Sequence, residues 1–244
     1  MEIHSGLPRE GPGSNKSTRA AYALMKELPK DAAVLDIGCG PGMQTLELSA
    51  LTEGPIIAVD THAPYLDELN RRARAAGVAH RIETRNQSMF ELDFPDASFD
   101  AIWSEGAIYF MGVENGLRAW RRFLKPRGYV AITELSWLKP RPPEPVRTFW
   151  ETVYPAMADI ETNLGRAHAA QYDIVGHFTL PDDDWWTHYY APLEARVAAL
   201  REKYHDDPEA LRLLNEEEKE FEMFRAYSAW YGYVFYVMRA SASS

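Results

Sequence analysis

The chain of 244 residues is poor in cysteine, with a single one at Cys39. One cysteine excludes an intramolecular disulfide and supplies too few ligands for a cysteine-based zinc site. The histidines are scattered, with no i, i+4 pair, so we expect no metal site. A reducing cytoplasm is the expected compartment.

Long apolar runs are also absent. No stretch approaches the roughly 20 apolar residues that span a bilayer, and the N-terminus lacks the apolar core of a signal peptide. We therefore expect a soluble, intracellular protein. Residues 1–17 contain several glycines and prolines, which favour turns, and we predict a mobile leader or lid there.

Positive charge is scarce. The chain has 26 Lys and Arg against 36 Asp and Glu, a formal net charge of −10. No run of more than two basic residues lies near aromatic residues, which disfavours nucleic acid as a partner. The lack of a basic amphipathic helix likewise disfavours a membrane lipid. With 46% hydrophobic residues, the chain has enough apolar material for an enzyme-sized core.

Short apolar runs alternate with helical patterns along the chain. Continuous runs of this length are typical of parallel strands that are covered on both faces. The alternation predicts an α/β fold, a Rossmann-like, doubly wound sheet that begins after an N-terminal helix at 18–28. The predicted strands are 33–37, 55–59, 81–87, 99–104, 129–135, 174–180 and 231–238. The further helices are predicted at 43–51, 63–76, 113–124, 146–158, 161–171, 191–205 and 208–229.

The first strand runs into its helix through a turn with three glycines, Gly38, Gly40 and Gly42. Glycine has no Cβ to block a ligand and adopts positive φ freely, so this turn indicates a nucleotide-cofactor site. The dinucleotide fingerprint G-x-G-x-x-G is incomplete, because Met43 stands at its third glycine. A P-loop motif is missing as well, so the sequence disfavours a phosphate-bearing cofactor.

Two acids flank this turn. Asp36 lies at the carboxyl end of the first strand, where its charge suits a cationic ligand. Asp60 closes the second strand, where a carboxylate can accept hydrogen bonds from two ribose hydroxyls. The residues thus indicate a ligand with a ribose and a positive charge.

Taken together, D-x-G-x-G-x-G and the acid of the second strand resemble the class I S-adenosylmethionine-dependent methyltransferases, in particular the type 11-like group that acts on small molecules. The match extends through FPDASFDAIWSEGAIYFM at 94–111 and FLKPRGYVAITELSW at 123–137, and covers residues 18–140. The resemblance implies a seven-stranded mixed sheet whose last strand is antiparallel. It also implies S-adenosyl-L-methionine as methyl donor, with S-adenosyl-L-homocysteine as product.

The resemblance assigns roles around the turn. The backbone of Gly38 and Gly40 holds the methionine part of the donor, Asp36 lies near its amino group, and Asp60 binds its ribose. Residues 87–89 flank the adenine. The expected cofactor-binding residues are Asp36, Gly38, Gly40, Gly42, Asp60, Thr61, Gln87, Ser88, Met89, Ser104 and Glu105.

The sequence identifies the catalytic side chains less clearly than the cofactor-binding residues. Methyl transfer from a sulfonium is an in-line displacement, so alignment in a dry site supplies most of the catalysis. Glu105, after the fourth strand, is the leading candidate for a general base or acceptor anchor, the alternative being that it only holds the donor or a main-chain amide. Tyr109 and Phe110 are either acceptor-pocket walls or core. His188 is either a base or a packing residue.

We predict one domain, with the leader at 1–17, a cofactor-binding core at 18–140, substrate-side helices and a lid at 141–229, and the last strand and tail at 230–244. The aromatic segment 182–190, DDDWWTHYY, is expected to be a loop that closes the acceptor site.

The predicted function is methyl transfer to a small, partly apolar acceptor by a monomer or homodimer. Transfer to oxygen, nitrogen and carbon all remain open. The alternatives are a non-catalytic sensor that binds S-adenosylmethionine and a nicotinamide-dependent oxidoreductase.

Overall fold

The computed structural model describes residues 3–4 and 6–242. The predictions for the leader and the tail at residues 1, 2, 5, 243 and 244 lie outside the described residues. None of the helices in the described part of the chain is long and apolar enough to cross a membrane.

One eight-stranded sheet carries helices on both faces. Its strands are β1 Val34–Ile37, β2 Ile56–Asp60, β3 Ile82–Asn86, β4 Phe99–Glu105, β5 Leu124–Trp137, β6 Ala158–Asp159, β7 Tyr172–Thr179 and β8 Tyr231–Ala240. The helices are α1 Asn15–Ala23, α2 Met43–Leu51, α3 Ala63–Ala75, α4 Val113–Trp120, α5 Glu144–Val153, α6 Ile160–Ala169, α7 Asp182–Trp185, α8 Ala191–Lys203 and α9 Pro208–Tyr227.

The strand order is β3-β2-β1-β4-β5-β8-β7, and the two-residue β6 pairs with the end of β5. Strand β8 runs antiparallel between β5 and β7, whereas β1 to β5 pair in parallel. The predicted doubly wound sheet with an antiparallel last strand is therefore confirmed. From β1 the chain first adds β2 and β3 on one side and then crosses over to add β4 and β5 on the other. In open sheets of this kind, ligands bind beyond the carboxyl ends of the strands at the point where the order reverses, here between β1 and β4.

The continuous apolar runs of the sequence form parallel strands that are covered by helices on both faces. In β1 every residue is buried, with Val34 in one apolar cluster and Leu35 and Ile37 in another on the opposite face. A third cluster lies where α7 to α9 pack against β8, and it contains Trp185, Tyr190, Phe221, Phe224 and Tyr231. The predicted helical insertion before the last strand is thus present.

Several predicted boundaries were wrong, among them the starts of α1 and β5 and the ends of α1, α4 and α5. Helix α1 begins at Asn15 rather than 18, because the Ser14 hydroxyl caps it by accepting a hydrogen bond from the Ser17 N–H at 3.2 Å. Strand β5 begins at Leu124 rather than 129, and Arg127 takes a positive φ of 60° within it.

The predicted loop at 182–190 was also wrong. Three aspartates occupy the first turn of α7, where negative charge favours a helix N-terminus, and Trp186–Tyr190 continue as a π-helix into α8. Pro192 has no N–H to donate to the carbonyl of residue 188, so the α-helical ladder is interrupted where the π-helix ends.

Candidate functional site

The glycine turn lies against two neighbouring strands. Gly38 and Cys39 both donate their N–H to the Val59 carbonyl, at 2.9 and 3.0 Å. Gly38 and Gly40 have positive φ values of 72° and 53°. A Cβ on Gly38 would lie 2.4 Å from the Ala107 Cβ, so this position also needs glycine for space.

Gly42 has a different role. It precedes α2 with a φ of 86°, and a Cβ there would lie 2.2 Å from the Leu69 Cδ1 of α3. It is not among the residues that line the neighbouring cavity. The structure therefore makes Gly42 a helix-packing residue.

A cavity of about 560 Å³ lies at the carboxyl ends of β1 to β4. This volume is ordinary for a small-molecule site. Asp36 and Ser104 do not line it; the Ser104 hydroxyl instead donates to the Ile37 carbonyl at 2.9 Å. The predicted residues that do line it are Gly38, Gly40, Asp60, Thr61, Gln87, Ser88, Met89 and Glu105.

Asp60 orients the turn that it faces. Its Oδ2 accepts from the Gly40 N–H at 2.9 Å, and its Oδ1 accepts from the His62 N–H at 2.8 Å. A carboxylate has about four lone-pair sites, so both oxygens keep the capacity to accept a ligand hydroxyl.

Asp36 is fully buried behind the turn. Its Oδ2 accepts from the Thr45 hydroxyl at 2.6 Å, but Oδ1 has no hydrogen-bond partner among the described residues. Burial raises the pKa of Asp36 to about 7, the Thr45 hydrogen bond opposes the rise, and the charge of Glu105 adds to it. The pKa of Asp36 therefore lies near neutral pH.

Glu105 is held by three donors. The Arg9 guanidinium pairs with Oε2, while the Thr18 hydroxyl and the Trp103 indole N–H both donate to Oε1 at 2.8 Å. The side chains of Arg9 and Glu105 are 4% and 1% exposed. Glu105 thus fastens the leader to the end of β4, and the general-base role remains a prediction.

The leader crosses the cavity between two attachments. Beyond Arg9, Glu10 lies over the turn, and its Cγ would be 3.7 Å from a Cβ on Gly40. The Gly13 N–H then donates to the Asp184 carbonyl of α7 at 3.0 Å. Sequence reasoning placed a lid here but missed Arg9, because one arginine among glycines and prolines carries no local signal.

A second cavity, of about 340 Å³, adjoins the first. Both are lined by the leader residues 10–12, Gly106 and Tyr109. Glutamates and aromatic side chains of β5, α5, α7, the π-helix, α9 and β8 form its remaining walls, together with Leu135 and Val153. The two cavities are therefore neighbours that share part of their lining.

Residues 34–128 match the family described as "Methyltransferase domain". This stretch holds the glycine turn, Asp60 and the end of β4. Residues 34–128 thus resemble a methyltransferase domain.

Two curated relatives resemble this chain. It is 31% identical over 139 residues to dimethylglycine N-methyltransferase of Parasynechococcus marenigrum (strain WH8102), which covers 54% of this chain and 50% of that protein. It is 30% identical over 119 residues to 27-O-demethylrifamycin SV methyltransferase of Amycolatopsis mediterranei (strain S699), which covers 48% of this chain and 44% of that protein. The chain thus spans about half the length of these relatives.

A solved structure has the same fold over nearly the whole chain. It is a SAM-dependent methyltransferase from Thiobacillus denitrificans in complex with S-adenosyl-L-homocysteine. The TM-score is 0.83 at 19% identity, and the match covers 98% of this chain and 96% of that one. At this identity the likeness shows the fold alone.

Glu134 of β5 was missed at the sequence level, although it lines the second cavity. It is 1% exposed, and its Oε1 accepts from the Tyr154 hydroxyl at 2.7 Å. Burial raises its pKa to about 7, against the Tyr154 hydrogen bond and the charge of Arg166. The available signal was an acid within the otherwise apolar strand YVAITEL.

The predicted catalytic candidates lie in different places. Tyr109 lines both cavities, whereas Phe110 lines only the first and is 62% exposed. His188 lies half-buried in the π-helix and lines neither cavity in the described part of the chain, so its catalytic role stays a prediction. Among residues 3–4 and 6–242, no group of three or more His, Cys, Asp or Glu forms a candidate metal site.

Proposed function

We propose that this chain transfers the methyl group of S-adenosyl-L-methionine to a small-molecule acceptor. The observation that carries the proposal is the pair of adjoining cavities. One is built on the acid-flanked glycine turn, the other has an aromatic wall, and Gly106 and Tyr109 belong to both. Such a pair supports a donor and an acceptor held next to each other.

The first cavity fits the donor. The positive-φ backbone of Gly38 and Gly40 leaves room for its methionine part. Asp36 lies behind the turn and outside the cavity wall, so its charge would act on the ammonium group without direct contact. Asp60 would accept from the ribose hydroxyls. Gln87 has an unpartnered Oε1 and would accept from the adenine amino group.

The same cavity fits a dinucleotide poorly. Among the described residues that line it, Arg9 is the one lysine or arginine, and its guanidinium is paired with Glu105. A pyrophosphate would find no free cation there. This disfavours the nicotinamide-dependent alternative.

Bound S-adenosylmethionine would supply an electrophilic methyl group on a sulfonium. The chain's own part would be to bind the donor, align the acceptor and exclude water, with the leader residues 10–12 over both cavities. We assign Tyr109 to the wall between donor and acceptor. The names of the two curated relatives, methyltransferases for dimethylglycine and for 27-O-demethylrifamycin SV, are consistent with a small acceptor.

We further infer a single domain with the leader acting as lid, a cytoplasmic location, and a monomer or homodimer without nucleic acid or membrane partners. The acidic composition and the single cysteine support these inferences.

The test combines binding and turnover. Calorimetry should show binding of S-adenosylmethionine and S-adenosylhomocysteine but not of NAD or NADP. A panel of small acceptors should then yield at least one that releases S-adenosylhomocysteine. Donor binding without release for any acceptor would favour the sensor, and tight dinucleotide binding without donor binding would overturn the proposal.

A further inference from the structure

The second cavity carries negative charge without a matching cation in its wall. Glu10, Glu134 and Glu220 line it, and no lysine, arginine or histidine is among its described lining residues. Burial raises the pKa values of all three carboxyls. An anionic acceptor would be repelled here, whereas a cationic one would relieve the cost of burying these carboxylates.

Each of these carboxylates has a partner in the protein. The His4 Nδ1 lies 3.3 Å from Glu10, and the Tyr190 hydroxyl donates to Glu220 at 2.7 Å. His4 also lies 3.6 Å from Glu217, so its charge is shared. Glu134 in turn accepts from the Tyr154 hydroxyl and has no ion-pair partner among the described residues, so its charge is only partly compensated.

Glu134 has a free oxygen within the cavity wall. Tyr154 donates to Oε1, and Oε2 has no hydrogen-bond partner among the described residues. Arg166 faces Glu134 from α6, but it is not within ion-pair distance and donates instead to the Asn163 side chain at 2.9 Å. A residue that is only 1% exposed thus keeps an open acceptor position beside the cavity.

Aromatic rings line the same cavity as this carboxylate. The faces of such rings attract ammonium groups, and their edges pack against N-alkyl substituents. At about 340 Å³ the cavity suits a small acceptor. The rings that line it belong to Tyr109, Trp150, Tyr154, Trp185, Tyr189 and Tyr233.

The surface next to the cavity also carries negative charge. A surface depression of about 700 Å³ between α5 and α9 shares Val153 and Glu220 with the cavity. Its charged lining residues are four glutamates and Lys219, whose ammonium lies 5.5 Å from the centre of the Phe149 ring. The excess negative charge would raise the local concentration of a cation.

We propose that the acceptor is a small amine that enters as an ammonium ion, and that Glu134 takes its proton before the nitrogen is methylated. This inference rests on the proposed function. The ammonium gives its proton to the Glu134 carboxylate, and the freed nitrogen lone pair forms a bond to the donor methyl carbon. The carbon–sulfur bond breaks, its electron pair stays on sulfur as a neutral thioether, and Glu134 returns its proton to solvent. A carboxyl that titrates near neutral pH suits this step.

The test uses two molecules of the same shape, choline and its uncharged isostere 3,3-dimethyl-1-butanol, titrated into the protein saturated with S-adenosylhomocysteine. We expect choline to bind at least about tenfold more tightly, since it places a cation beside Glu134 and the rings. Glu134→Gln should reduce this preference severalfold, leaving only the part that the rings and the two other glutamates supply. Glu222→Gln, which removes the same charge from an exposed position of α9, should keep it.

Turnover completes the test. Primary to tertiary amines and their matched alcohols and carboxylic acids are assayed for S-adenosylhomocysteine release, and amines should dominate. Equal binding of the two isosteres, or release with alcohols or acids but not amines, would overturn the inference while leaving methyl transfer intact. Glu134→Gln should bind S-adenosylmethionine as the wild type does, and failure of the wild type to bind it would count against the proposed function itself.

Discussion

Arg9 of the leader and Glu105 at the end of β4 form a buried ion pair that joins the first residues of the chain to the centre of the sheet. The pair lies in the wall of the first cavity. Both partners are almost fully buried, so neither charge is compensated by water if the other is removed.

Arg9→Ala should therefore release the leader. Loss of one partner of a buried pair costs about 3–5 kcal/mol, and we expect a fall in the free energy of unfolding of that order, with faster cleavage after Glu10 by a glutamate-specific protease. Arg118→Ala is the control, because Arg118 pairs with Glu114 on α4 and the two side chains are 52% and 42% exposed. It should cost no more than about 1 kcal/mol. Equal effects of the two variants would show that the Arg9 pair does not hold the leader.

Gly42→Ala should destabilise the fold by displacing α3 from α2. The alanine would have to keep the positive φ of this position, and its Cβ would lie 2.2 Å from the Leu69 Cδ1. Backbone strain and a steric clash therefore add together. Gly77→Ala separates the two effects, because Gly77 has a φ of 73° and no heavy atom lies within 4 Å of the position that its Cβ would take. We expect a loss of about 1–2 kcal/mol for Gly77→Ala and about 1–3 kcal/mol more for Gly42→Ala, measured by urea unfolding. Equal losses would mean that Leu69 moves away freely.

Asp36 should make stability fall as pH rises. Its pKa is raised from 3.8 to about 7 by burial, so the folded chain holds the proton more tightly than the unfolded chain. The stabilisation from the protonated carboxyl is complete below about pH 4 and is lost as the pH rises through about 7. Relative to Asp36→Asn, the wild type should lose about 4 kcal/mol across this window in urea unfolding without ligand. A pH-independent difference between the two would contradict the shift.

Asp60→Ala should weaken donor binding. The variant loses the acceptor for the ribose hydroxyls and frees the Gly40 N–H that positions the turn, so S-adenosylhomocysteine should bind about 10- to 100-fold more weakly by calorimetry. Asp67→Ala, at an exposed position of α3, is the control and should bind normally. A thermal unfolding measurement must accompany both variants, and unchanged affinity in a folded Asp60→Ala protein would rule out the ribose role.

The cofactor half of the fold was predictable because its signals are local. Strand β1 and the glycine turn follow each other within a few residues, and Asp60 ends the next strand. Covered parallel strands leave continuous apolar runs that are visible without knowledge of their partners.

The acceptor half was less predictable because its structure depends on distant contacts. The helical form of 182–190 is stabilised by packing such as that of Trp185 on Phe224, whose ring centres lie 4.2 Å apart. The placement of Glu134 among aromatic rings from other elements, and of Arg9 beside Glu105, likewise follows only from the assembled sheet.

The most direct test of the central claim is a crystal structure of the protein with S-adenosyl-L-homocysteine. We predict that the ribose hydroxyls bind the Asp60 carboxylate, the amino acid end lies against Gly38 and Gly40, and the sulfur faces the wall at Gly106 and Tyr109. Binding of the compound elsewhere, or protein side chains filling the cavity at the glycine turn, would contradict the assignment.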